Sequence, residues 1–252
     1  MKPIEPPAPS PQEQLTGTWR SVKSLDSGHT DFRLLTFTKS RWIYEFMRED
    51  KDGAREEHFH RQGGWTITDT HVTRIEYANN EEVSTTKEYS IVDGNLVLER
   101  WAGGGDPEVT HHTYSREPAI TATDLHATWR FDFTVASATD TLELNADGTF
   151  RHIHDNPIVT LVWEGTYTLD LDQLFIFQEI TSATTTAVDR PPPTLMAGHT
   201  ARLAFAPSML RDTIRVSLNV YEKDYDPETR TFADTSERNP YGYYIALFTK
   251  IK

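Results

Sequence analysis

Two histidines stand two residues apart in the stretch "GTFRHIHD", at His152 and His154. Side chains alternate between the faces of an extended strand, so positions i and i+2 share a face about 7 Å apart. Two imidazoles at that spacing can transfer a proton or orient a ligand through hydrogen bonds. A zinc site would need a third donor, for which His126, Asp155, Glu179 and His199 are the available residues. The sequence places none of these four, and no metal is assigned. A structural or solvated pair is the third reading.

The pair His58 and His60, in "HFH", has the same spacing and the opposite expected direction. Counting back from Trp65 and Ile67 along one strand puts Phe59 and Arg61 on the inward face, which leaves both histidines outside. His111 and His112 are adjacent and must point to opposite faces.

The elements that position these residues are short runs rich in Val, Ile, Thr, Tyr, Phe and Trp. They are separated by turn chemistry at "DG" 52, "TDT" 68, "VDGN" 92, "NADG" 145 and "DLD" 170. Several runs alternate, as at Ile214, Val216, Leu218 and Val220, which predicts antiparallel sheet with one face buried. Helical periodicity is confined to about one turn before each "TWR" in two related phrases, "LTGTWR" at 15–20 and "LHATWR" at 125–130.

The repeat extends beyond those phrases. Leu35 and Phe37 align with Leu142 and Leu144. With one gap at the turn, Trp42, Tyr44 and Phe46 then align with Phe150, His152 and His154, and "GGWTITD" resembles "EGTYTLD" further on. Motifs recurring in the same order predict two copies of one β-unit, with a seam in "SREPAITATD" at 115–124. If Leu142, Leu144 and Phe150 face inward, so do His152 and His154.

Composition narrows the functional classes. The formal charge of −13, from 38 acidic and 25 basic residues, repels phosphate backbones and anionic lipid, so no nucleic-acid partner is expected. With no cysteine there is no disulfide, thiolate metal site or cysteine nucleophile. The opening "MKPIEPPAPSPQEQ" lacks the apolar core of a signal peptide, and no run of about 18 apolar residues occurs. The expectation is a cytoplasmic protein without a membrane span, with a proline-stiffened tail over 1–12. There is no phosphate-cradling glycine loop, no "GxSxG" and no "HExxH".

Gly17 and Trp19 near the first strand, "LELNADGTF" and "GTYTLDLDQL" together resemble the lipocalin-like (calycin-type) β-barrel family. The resemblance covers most of both halves, although Ala127 stands where the second copy should have the glycine. It implies an all-β chain of two tandem antiparallel lipocalin-like barrels packed together, barrel 1 over 13–117 and barrel 2 over 122–252. In such barrels the tryptophan plugs the closed end, the glycine lets the first strand bend, and the interior can hold one small, mainly apolar molecule.

The expected function is binding of a small hydrophobic metabolite, either as a carrier or as a cofactor-independent isomerase, cyclase or lyase of secondary metabolism. His152 and His154 are the candidate catalytic residues. Trp42, Tyr44, Phe46, Trp65 and Tyr77 would line barrel 1, either as a filled core or around a planar ligand. Phe150, Trp163 and Tyr167 are the counterparts in barrel 2. Two insertions in the second copy, 181–199 and 222–244, would cover its mouth or pack between the barrels, bringing Arg190, Tyr225 and Tyr241 into play. Oligomeric state is not encoded in any motif.

Overall fold

A computed structural model describes residues 8–78, 81–99, 111–133, 137–186, 197–198, 200–210, 212–217, 221–222, 225–226, 231–232 and 245–251. The chain divides into two units, Met1–Ala119 and Ile120–Lys252, and each closes an antiparallel barrel of eight strands.

The first unit is a simple meander. Its strands are β1 (Gly17–Ser24), β2 (Thr30–Phe37), β3 (Arg41–Glu49), β4 (Arg55–Ile67), β5 (His71–Ala78), β6 (Glu81–Val92), β7 (Asn95–Glu99) and β8 (His111–Arg116). Pairing of Trp19 with Arg116 joins β1 to β8 and closes the ring. The expected turns fall where their chemistry requires. Asp93 and Gly94, for example, both have positive φ, at 51° and 77°, as a two-residue hairpin with the twist of its strands demands.

The second unit begins in the same way with β9 (Ala127–Phe133), β10 (Ala138–Leu144), β11 (Thr149–Asp155), β12 (Thr160–Asp170) and β13 (Phe175–Thr185). It continues through β14 (Thr200–Pro207) and β15 (Thr213–Ser217). Three two-residue strands follow, β16 (Tyr221–Glu222), β17 (Tyr225–Asp226) and β18 (Thr231–Phe232). The last strand, β19 (Ile245–Ile251), then pairs with both β15 and β9, while β13 pairs with β14, so the ring closes.

The first five residues of the 181–199 insertion, as far as Thr185, are strand. Their threonines suit a pleated surface, and Thr181 Oγ1 also donates to Glu164 O at 3.2 Å. Most of the remaining insertion residues, Arg190 and Tyr241 among them, lie outside the described residues. Among the described residues no helix is long and apolar enough to cross a membrane.

The repeated phrase has one structural role in both units. Short helices α1 (Pro11–Leu15) and α2 (Ala122–Leu125) precede β1 and β9, so α1 takes up the end of the expected N-terminal tail. Each carries a capping box, Ser10 with Glu13 and Thr121 with Asp124, which satisfies amide groups that the first turn leaves unpaired. The tryptophan four residues after each helix donates its indole N–H to the last helical carbonyl, Trp19 to Leu15 O at 2.8 Å and Trp129 to Leu125 O at 2.9 Å. Leu15, Trp19, Leu125 and Trp129 are all buried, so the helix and ring together plug one end.

Cross-strand partners share a face, which lets the two interiors be compared row by row. Phe37, Trp42 and Gly63 match Leu144, Phe150 and Gly165. Trp19, Leu35, Tyr44 and Arg61 match Trp129, Leu142, His152 and Trp163. Arg33, Phe46 and Phe59 match Asp140, His154 and Leu161. The aligned pairs from Leu35 to Phe46 keep their partners, but the overlay of "GGWTITD" on "EGTYTLD" slips by one residue. Gly63, and not Gly64, occupies the place of Gly165.

The reason is steric. A Cβ on Gly63 would lie 1.8 Å from Ile75 O, and one on Gly165 would lie 1.9 Å from Glu179 O. At both places the neighbouring strand's backbone occupies the space of a side chain.

Candidate functional site: an imidazole and carboxylate cluster in the second barrel

Strand β11 carries His152 and His154 on the same face as Phe150, and β10 brings Asp140 opposite His154. Asp140 has the parity of Leu142 and Leu144, both buried, so its carboxylate enters the interior. Asp140 and His152 are 4% and 5% exposed, whereas the His154 side chain retains 28%. The cluster therefore runs from packed interior toward water.

His154 Nδ1 lies 3.0 Å from Asp140 Oδ1, and its Nε2 lies 3.2 Å from Asn156 Nδ2. The orientation of that amide is fixed, because Asn156 Oδ1 accepts the backbone N–H groups of Ile158 and Val159 at 2.9 and 3.0 Å. The amide N–H therefore faces Nε2, and neutral His154 carries its proton on Nδ1, where it donates to Asp140. Phe133 packs edge-on to the His154 ring at 5.9 Å.

The charges support one another. Burial by itself would raise the carboxyl of Asp140, but the two imidazoles beside it, His154 within hydrogen-bond distance and His152 farther off, outweigh it and hold the group below the usual carboxylate range. His154 is raised, chiefly by its hydrogen bond to Asp140, against the opposing effect of burial. Asn156 works in the other direction by setting a donor against Nε2.

His152 is placed differently. Its Nε2 is 3.6 Å from Asp140 Oδ1, beyond hydrogen-bond distance, and its ring lies 5.3 Å from that of Trp163. His152 Nε2 and Trp163 Nε1 are both buried without a hydrogen-bond partner among the described residues. Such groups are costly unless water or a ligand supplies the missing partner, by about 1–3 kcal/mol each.

The structure thus brings together His152, His154 and Trp163 from the expected set and adds Asp140 and Asn156. Asp140 was detectable in principle, since "ATDTLEL" sets it at the parity of Leu142 and Leu144. Phe150 and Tyr167 belong to the plugged end, where Tyr167 donates its hydroxyl to Asn145 O at 2.8 Å. Trp65 does the same in the first barrel, donating to Thr38 O at 2.9 Å. Trp42 and Trp65 join Trp19 and Phe37 in that barrel's packed core, while Tyr44 and Phe46 lie farther along the interior.

The side chains of Tyr77 and Tyr225 fall outside the described residues, as does His199. His58 and His60 lie on the face opposite Phe59, with His58 Nε2 2.6 Å from Glu45 Oε1. Among the described residues no group of three His, Cys, Asp or Glu is arranged to hold a metal ion.

The fold and this cluster define an all-β tandem-barrel protein with an acid/base-capable interior. The chain matches no family model and no curated protein.

Proposed function

We propose that this is a lipocalin-like protein whose second barrel takes up a small, largely apolar molecule bearing a carbonyl-type oxygen and moves a proton on it without a cofactor. That is the chemistry of an isomerase, cyclase or lyase. The observation carrying the proposal is the Asp140–His154 pair beside two buried groups that lack a hydrogen-bond partner among the described residues, His152 Nε2 and Trp163 Nε1.

Asp140 holds the Nδ1 proton of His154 and leaves Nε2 as the base. A C–H next to the carbonyl gives its proton to Nε2 while its electron pair moves toward the oxygen. Asp140 stabilises the imidazolium, the Trp163 indole N–H and a proton on His152 Nε2 stabilise the developing oxyanion, and Nε2 returns the proton to the same carbon or, in a substrate with a β,γ double bond, to the γ-carbon as the double bond shifts into conjugation.

A carrier function is the second reading. It is favoured by the Asn156 amide, which occupies the His154 lone pair and must move away before Nε2 can act. One experiment separates the two. Protein purified in D2O buffer is extracted with organic solvent, and the extract is analysed by mass spectrometry for wild type, Asp140→Asn and His154→Ala. Catalysis predicts a retained carbonyl compound that gains deuterium on wild type only. Retention by all three without exchange establishes the carrier, and an extract free of any stoichiometric small molecule overturns both.

A further inference from the structure

The first barrel places an arginine where the second has its carboxylate. Arg33 is 4% exposed and lies on the inward row with Phe46 and Phe59. Its Nη2 donates to Asp31 Oδ2 at 2.8 Å. Asp31, 1% exposed, also receives Arg48 Nε at 2.7 Å on Oδ1 and Arg48 Nη2 at 3.2 Å on Oδ2. One buried carboxylate thus serves two guanidinium groups.

Both cations also lie over the Phe46 ring, at 5.3 Å for Arg33 and 5.6 Å for Arg48. Arg33 is thereby fixed in place, yet its Nη1 is buried and has no hydrogen-bond partner among the described residues.

The surroundings describe what could accept from Nη1. Tyr44 and Phe59 face the same interior and are half-buried, with ring centroids 6.1 Å apart. Burial pushes the phenols of Tyr44 and Tyr114 up, and Arg33 draws both down, Tyr44 by charge and a side-chain hydrogen bond and Tyr114 by charge. A positive fork beside three aromatic side chains suits a planar oxyanion attached to a flat apolar body.

We infer that the first barrel is a second, separate binding site, which takes an oxyacid anion, a carboxylate or phosphate on an aromatic or similarly flat apolar group, through Arg33. It does not depend on the chemistry proposed for the second barrel.

The test is calorimetric titration of the full chain with 1-naphthoate, 1-naphthyl phosphate and the uncharged 1-naphthalenemethanol. An unpaired, buried charged donor predicts that at least one anion binds about tenfold or more tighter than the alcohol. The two anions distinguish carboxylate from phosphate. Arg33→Met leaves Asp31 paired with Arg48 and should abolish the preference. Arg33→Lys, which keeps the charge and loses the fork, should reduce it severalfold and carries the test if Arg33→Met does not fold. Asp140→Asn, in the other barrel, should leave it unchanged. Equal affinity for anions and alcohol, no binding of any probe, or a preference that survives at wild-type size in a folded Arg33 variant would overturn the site.

Discussion

The two barrels share one frame and differ at one end. At the plugged end they agree nearly atom for atom: a capping box, an indole bonded to the last helical carbonyl, and a ring donor reaching the carbonyl of Thr38 in one and Asn145 in the other. Two rows away Arg33, Phe46 and Phe59 stand against Asp140, His154 and Leu161. The same pleat thus presents a cation among aromatic rings in one copy and a carboxylate with imidazoles in the other. The plugged end fixes the register, and the register lets a few substitutions on inward positions give each barrel its own chemistry.

The strongest way to break this equivalence is at the two glycines. With Ile75 O and Glu179 O standing 1.8 and 1.9 Å from the missing Cβ atoms, Gly63→Ala and Gly165→Ala each force two strands apart. Each substitution should destabilise its own barrel by more than about 4 kcal/mol. Hydrogen exchange read by mass spectrometry would report loss of protection in the unit carrying the change. A mild effect at one glycine alongside a severe one at the other would show that the two places are not equivalent.

Much of the frame was legible because it is local. The two phrases, the turn residues and the alternation each act over a few positions, so the strands, the helical turns and the inward direction of His152 and His154 followed from them. The cluster was less legible because its parts meet only through register. Asp140 reads as an ordinary polar residue until the β10–β11 pairing sets it opposite His154, and Arg33 reads likewise until Asp31 and Phe46 close on it. The one-residue slip between Gly63 and Gly165 has the same origin. What demands a glycine is the backbone of another strand, which the local sequence does not contain.

The comparison sharpens further under titration. His154 is raised above its ordinary 6.5, so its contribution to stability is complete below that value and is lost as pH rises through the folded-state value. Asp140 is depressed below its ordinary 3.8, so its contribution is complete above that value and is lost as pH falls through the folded-state value. The pair therefore stabilises the second barrel most between 3.8 and 6.5. Asp140→Asn should remove about 1–3 kcal/mol in that window and lower the midpoint of His154 in an NMR titration. Nitrogen shifts of wild type at high pH should show the proton on Nδ1. A proton on Nε2, or a midpoint indifferent to Asp140→Asn, would dissolve the pair.

The smallest expected effect lies at the first residue of each entrance strand, where the backbones of the plugged ends differ. Gly17 has φ of 131°, a conformation that side chains rarely adopt, while Ala127 is not among the positive-φ residues. The difference tracks the last strand of each barrel. In the first, Arg116 lies over the Trp19 ring at 5.0 Å and donates to Thr16 O and, at 3.4 Å, to Gln14 O, so its guanidinium fills the space beside residue 17. A Cβ there would meet Arg116 Nη2 at 3.2 Å. In the second, the slimmer Lys250 lies over Trp129 at 5.5 Å. Gly17→Ala should therefore cost about 1–3 kcal/mol, and Ala127→Gly only about 0.5–1 kcal/mol, through chain entropy. If the glycine serves the guanidinium, Gly17→Ala combined with Arg116→Lys should cost less than the sum of the two single changes in denaturant unfolding. Strict additivity would mean that the bend at residue 17 is required by β1 itself and not by the cation resting on its tryptophan.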